Sequence, residues 1–75
     1  MAANLPLKVS HGRTYLAPEA NQVINQARMK AGYDATKLAM HVGLDRVKLN
    51  LIIGGQDPVP GALLDKLREF VTRHG

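Results

Sequence analysis

Ala-Thr-Lys-Leu-Ala-Met-His-Val-Gly-Leu-Asp-Arg-Val-Lys-Leu-Asn-Leu-Ile-Ile-Gly, residues 35–54, is the stretch that decides how this chain folds. Two apolar patterns at helical spacing flank Gly43: Leu38, Ala39 and Val42 before it, Leu49, Ile52 and Ile53 after it. Asp34 and Asp45 stand where each helix needs an N-cap, because a short carboxylate accepts the amide protons that the first turn leaves unbonded. The spacing therefore predicts one helix over 35–42 and another over 46–53. Two helices that cross at so tight a turn bring their backbones close, and Ala39 is small enough for that approach. Gly43 supplies the left-handed backbone of the turn. Val42 and Leu44 plug its inner corner, and Leu49 and Ile52 seat the second helix on the core.

Upstream, Pro18 suits a first helical position and Glu19 the electropositive first turn. Ala20, Val23, Ile24, Ala27 and Ala31 fall on one stripe, and Gly32 ends that helix. Downstream, Gly54-Gly55 stops the second motif helix, and Gln56-Asp57-Pro58-Val59-Pro60 reads as a turn-rich connection. Pro60 is expected at the first position of a last helix whose apolar face is Leu63, Leu64, Leu67, Phe70 and Val71. Before Pro18 the period changes to two. Leu5, Leu7 and Val9 alternate with Pro6, Lys8 and Ser10, a turn follows at residues 10–13, and Thr14-Tyr15-Leu16 is a second extended piece. A hairpin or a flexible arm fits, with Pro6 at an edge because it has no amide proton to donate.

With 75 residues the chain is one domain with a marginal core. It holds no cysteine, so neither a disulfide nor a thiolate metal site is available, and oligomerisation is the expected extra support. The lack of cysteine fits a reducing compartment. Ten Lys and Arg against six Asp and Glu give a net charge of +4, and the pI is near 9.9. Such a basic excess favours an anionic partner such as nucleic acid, although an ordinary basic surface gives the same numbers. Apolar runs fall short of the roughly 20 residues that cross a membrane, and the first residues lack the basic-then-apolar order of a signal peptide. A cytoplasmic protein of a bacterial cell or phage-infected host is the expectation. Catalysis is not expected. Ser10 is the sole serine, His11, His41 and His74 are scattered without ligand spacing, and no carboxylate pair or phosphate-cradling loop occurs. No cofactor is expected either.

Residues Leu38-Ala39, Val42-Gly43-Leu44, Leu49 and Ile52 resemble the helix-turn-helix of the Cro and phage-repressor family, also called the XRE family. With the helix before the motif and the segment after it, the resemblance covers about residues 18–73. It implies a mainly all-α fold: a compact, four-helix, lambda-repressor-like helix-turn-helix domain at 18–75, preceded by a short extended or β-hairpin arm at 1–17. It also implies a dimeric, sequence-specific regulator of transcription, a repressor, on double-stranded DNA. The second motif helix enters the major groove and its N-terminal residues reach base edges. Carried over residue by residue, the base-contact positions are Arg46, Val47, Asn50 and Leu51. Arg46 can bond guanine bidentately, Asn50 adenine, and Val47 and Leu51 can touch thymine methyls. The phosphate-side positions are Thr36, Lys37, Asp45 and Lys48.

The pattern departs from the family at two points. The position after the turn, often Ser or Thr, is Asp45, whose charge a nearby phosphate repels. The outward face also carries Val47 and Leu51 where polar residues are usual. An apolar pair there also fits a protein-binding surface, as in an antirepressor or an inhibitor of a host complex, or a site covered by the arm or a neighbouring loop. An antitoxin that represses its own promoter is a third reading. For the dimer contact, the Leu5–Val9 segment and the last helix are both candidates.

Overall fold

The computed structural model describes residues 5–74; the first four residues of the expected arm, and Gly75, lie outside the described residues. In chain order the elements are β1 (Leu7–Ser10), β2 (Arg13–Leu16), α1 (Pro18–Ala31), α2 (Ala35–Val42), α3 (Arg46–Ile53) and α4 (Gly61–His74). The protein is mainly helical with one small antiparallel sheet.

Both short connections between the first three helices use the same backbone device. Gly32 has φ +75° and Gly43 φ +81°. At the first, the Gly32 amide donates to Met29 O and the Tyr33 amide to Arg28 O. At the second, Gly43 donates to Met40 O and Leu44 to Ala39 O. These are Schellman endings, in which a left-handed glycine lets two amides reach back to the orphaned carbonyls of the last turn. Each is followed at once by a capping aspartate. Asp34 Oδ1 accepts from Lys37 N and Asp45 Oδ1 from Lys48 N, both at 2.7 Å. A helix stop, a cap and a new helix within three residues hold the α2–α3 turn to Gly43-Leu44-Asp45.

The core is a single cluster. α1 gives Ala20, Ile24 and Ala27, α2 gives Leu38, Ala39 and Val42, α3 gives Leu49, Ile52 and Ile53, and α4 gives Leu63, Leu67, Phe70 and Val71. Val23, Ala31, Leu44 and Leu64 pack around it half-buried. α1 lies against α4, and α2 contacts both α3 and α4.

The N-terminal segment forms the hairpin of the two expected forms. Its register pairs Leu7 with Leu16, Lys8 with Tyr15, Val9 with Thr14 and Ser10 with Arg13. The two-residue turn has φ +53° at His11 and +75° at Gly12. Positive φ at both central positions marks a type I′ turn, whose twist matches that of the strands. The hairpin packs on the helices. Leu5 and Leu16 are in the core, at 2% and 1% exposure. The outer edge of β2 is closed by the Val59 amide, which donates to Thr14 O at 2.9 Å. Leu7 and Val9 share the face of Leu16, because cross-strand partners point the same way. Yet Val9 is 73% exposed, since burial rises along β2 from the turn towards Leu16 and the helices cover only that end. The alternation beginning at Leu5 thus signals a strand without giving a fully buried face.

One helix boundary differs from expectation, the start of α4, while α3 ends at Ile53 before Gly54-Gly55 as expected. α4 begins at Gly61, and Pro60 sits one position earlier as its N-cap, with its carbonyl accepting from Leu64 N at 2.9 Å. At the end of α3, Gly54 keeps right-handed backbone (φ −73°), and the left-handed residue is Gly55, at φ +79°. A Cβ on Gly55 would also stand 3.0 Å from Leu16 O. The end of α3 is therefore pressed against β2 at a place only glycine fits.

Candidate nucleic-acid interface

α3 is short and two-faced. Leu49, Ile52 and Ile53 anchor one side in the core, and Arg46, Val47 and Asn50 stand exposed on the other. Leu51, one turn after Val47, is half-buried at the edge of this outer face. Arg46, Val47, Asn50 and Leu51 line one open hollow of about 410 Å³, together with Ala35 and Gln56. The four base-contact candidates of the sequence thus share a surface. The first residue of α2 and the loop after α3 flank it.

Gln56, part of the turn-rich connection, is the member that the sequence pattern does not mark. The chain doubles back after Gly55. The amides of Gln56 and Asp57 both donate to Leu51 O, at 2.9 and 3.1 Å. That reversal brings the Gln56 amide side chain to the hollow and Asp57 to Lys48. Lys48 Nζ lies 3.0 Å from Asp57 Oδ2, both side chains being partly exposed. The only hint in the sequence was the double glycine, which permits a reversal without saying where it leads.

The phosphate-side candidates fare differently from one another. Thr36 and Lys37 are exposed in the first turn of α2. Lys37 Nζ sits 4.5 Å above the Tyr33 ring, a cation–π contact that directs the side chain without neutralising it. Asp45 is exposed and its Oδ1 is occupied by the Lys48 amide. Lys48 is drawn towards Asp57. Among the described residues no carboxylate pairs with Arg46 or Lys37. Arg46 stands at the start of α3, beside the α2–α3 turn, and Lys37 stands in the first turn of α2, at that helix's opposite end.

Behind this face, Arg28 does not extend the basic surface as freely as its position on α1 allows. Its Nη1 donates to Tyr33 O at 2.8 Å and fastens the α1–α2 connection. Tyr33 packs its ring near Phe70, at 5.3 Å between centroids, and near His41 and His74. His41 is exposed on α2 but keeps its ring 5.7 Å from Phe70.

Among the described residues no group of three or more His, Asp or Glu is placed to hold a metal ion. No helix among them is long and apolar enough to cross a membrane. Searches against protein-family models, curated proteins and solved structures each gave no match for this chain.

Proposed function

We propose that this protein is a sequence-specific double-stranded DNA-binding regulator in which α2 and α3 act as a helix-turn-helix. The observation that carries the reading is the outer face of α3. Its inner side is fixed by Leu49, Ile52 and Ile53, while Arg46, Asn50 and Gln56 converge on one hollow as free hydrogen-bonding groups. A rigid helix with its core face locked and polar ends aimed outward is what reading base edges requires. Arg46 suits guanine, and Asn50 and Gln56 suit adenine. Lys37, beside exposed amides at the start of α2, suits a phosphate. The charge of +4 favours the same polyanion.

The wider proposal is a Cro-like repressor in the cytoplasm of a bacterial cell or phage-infected host. It binds a partly palindromic operator as a homodimer. Half-sites then lie about one helical turn apart, ~34–36 Å.

Selection of bound duplexes from a random pool, followed by a mobility-shift assay with the full chain, tests this. A recurring half-site, with binding weakened by Arg46→Ala and by Asn50→Ala, is the expected result. Failure to retain any duplex at low salt rejects the proposal. Such failure would favour the second reading, a protein-binding module, for which the 65% exposure of Val47 at the centre of this face is the specific support.

A further inference from the structure

Val47 and Leu51 stand four residues apart on one side of α3, about 6 Å along its axis. They form an apolar strip that runs from exposed Val47 to half-buried Leu51 at the edge of a face whose other members are Arg46, Asn50 and Gln56. Neither side chain can donate or accept a hydrogen bond. Against a DNA major groove, the one apolar feature such a strip can meet is a methyl group on C5 of a pyrimidine. Thymine carries that methyl, uracil and cytosine do not, and 5-methylcytosine does. At these positions the base is sensed through its C5 substituent, since Val47 and Leu51 have no means of reading the O4 or N4 beside it.

We infer that Val47 and Leu51 make DNA binding depend on pyrimidine C5-methyl groups, thymine or 5-methylcytosine, within two base-pair steps of one another. This rests on the DNA-binding reading above and specifies the chemistry of the duplex it selects. The 6 Å separation sets the step count, because stacked bases repeat about every 3.4 Å. The positive charge of Arg46, which lines the same hollow as the strip, and the net charge of +4 fit a polyanion better than an apolar protein partner. Removing one methyl from such a contact lowers affinity about fourfold, the equivalent of one buried methylene. The same arithmetic makes methylation of a cytosine under Val47 or Leu51 raise affinity about fourfold.

The test uses the full chain and the duplex recovered by selection, with binding read by fluorescence anisotropy. Each thymine is replaced in turn by deoxyuracil, and each cytosine by 5-methylcytosine. The expected result is one or two neighbouring positions where uracil weakens binding about fourfold, with the loss at one position absent in Val47→Ala and any loss at the other absent in Leu51→Ala. Val47 is exposed, so this variant keeps the fold, which circular dichroism verifies. If uracil changes affinity less than twofold at every position while the duplex still binds, methyl sensing is wrong and the DNA-binding reading stands. If uracil weakens Val47→Ala and the native chain equally, and Leu51→Ala likewise, the methyl effect belongs to the DNA and the inference is overturned. If no duplex binds at all, the DNA-binding reading fails and this inference fails with it.

Discussion

Asp45 does two things at one position. Its carboxylate caps α3 through the 2.7 Å bond from Lys48 N, and it sets a negative charge beside Arg46 on the outward face. The two effects separate by substitution. Asp45→Ala is expected to lose about 1 kcal/mol of stability, read by urea denaturation. Asp45→Asn keeps the capping oxygen and removes the charge, so it should leave stability nearly unchanged and tighten duplex binding in an anisotropy titration. The glycines offer a second residue-scale contrast. A Cβ at Gly43 meets nothing within 4 Å, whereas one at Gly55 meets Leu16 O at 3.0 Å, and both positions have positive φ. Gly43→Ala should cost only the backbone penalty, about 1–2 kcal/mol. Gly55→Ala should cost more in the same denaturation assay, because the clash is with backbone, which cannot rotate away.

At the scale of the element, α3 divides into residues that hold it and residues that face outward. Val47→Ala should change stability by less than about 0.5 kcal/mol, and Leu49→Ala should cost about 2–5 kcal/mol. Equal losses from the two, by calorimetry, would mean that the outer face is structural. The loop after α3 carries its own prediction. The Lys48–Asp57 pair is partly exposed, so Asp57→Asn should cost no more than about 1 kcal/mol of stability. It also releases Lys48 towards the face that Arg46 occupies. If that face meets DNA, the plot of log affinity against log salt should steepen by about 0.9, one further phosphate neutralised. An unchanged slope would show that Lys48 does not reach a phosphate.

The whole molecule is small enough that the hairpin decides its stability. Leu5 and Leu16 belong to the same cluster as the four helices, and the β2 edge is tied to Val59. Leu16→Ala is expected to cost about 2–5 kcal/mol. Each kcal/mol should lower the melting temperature by roughly 4–8 °C in a domain of this size. Removal of residues 1–17 should abolish the cooperative transition altogether. A truncated chain that still melts cooperatively would show that residues 18–75 fold by themselves, as the boundary at residue 17 implies.

The sequence by itself determined the helices, their order and all but one of the expected ends, the start of α4, which falls one residue later. Those features rest on local chemistry: an aspartate three residues before an amide, a glycine where φ turns positive, a proline in a first turn, and apolar spacing near 3.6. Each acts within a few residues, so each leaves its mark in the string. The resemblance to the Cro-like helix-turn-helix pattern marked Arg46, Val47, Asn50 and Leu51 as a group, and all four line one hollow. What only the tertiary structure decided lies between segments distant along the chain. The reversal after Gly55 carries Gln56 to the face of α3 and Asp57 to Lys48. The covering of Leu16 but not of Val9 depends on how far the helices extend beneath the hairpin. No local period encodes either result, since both arise from packing of surfaces that meet only in the folded chain.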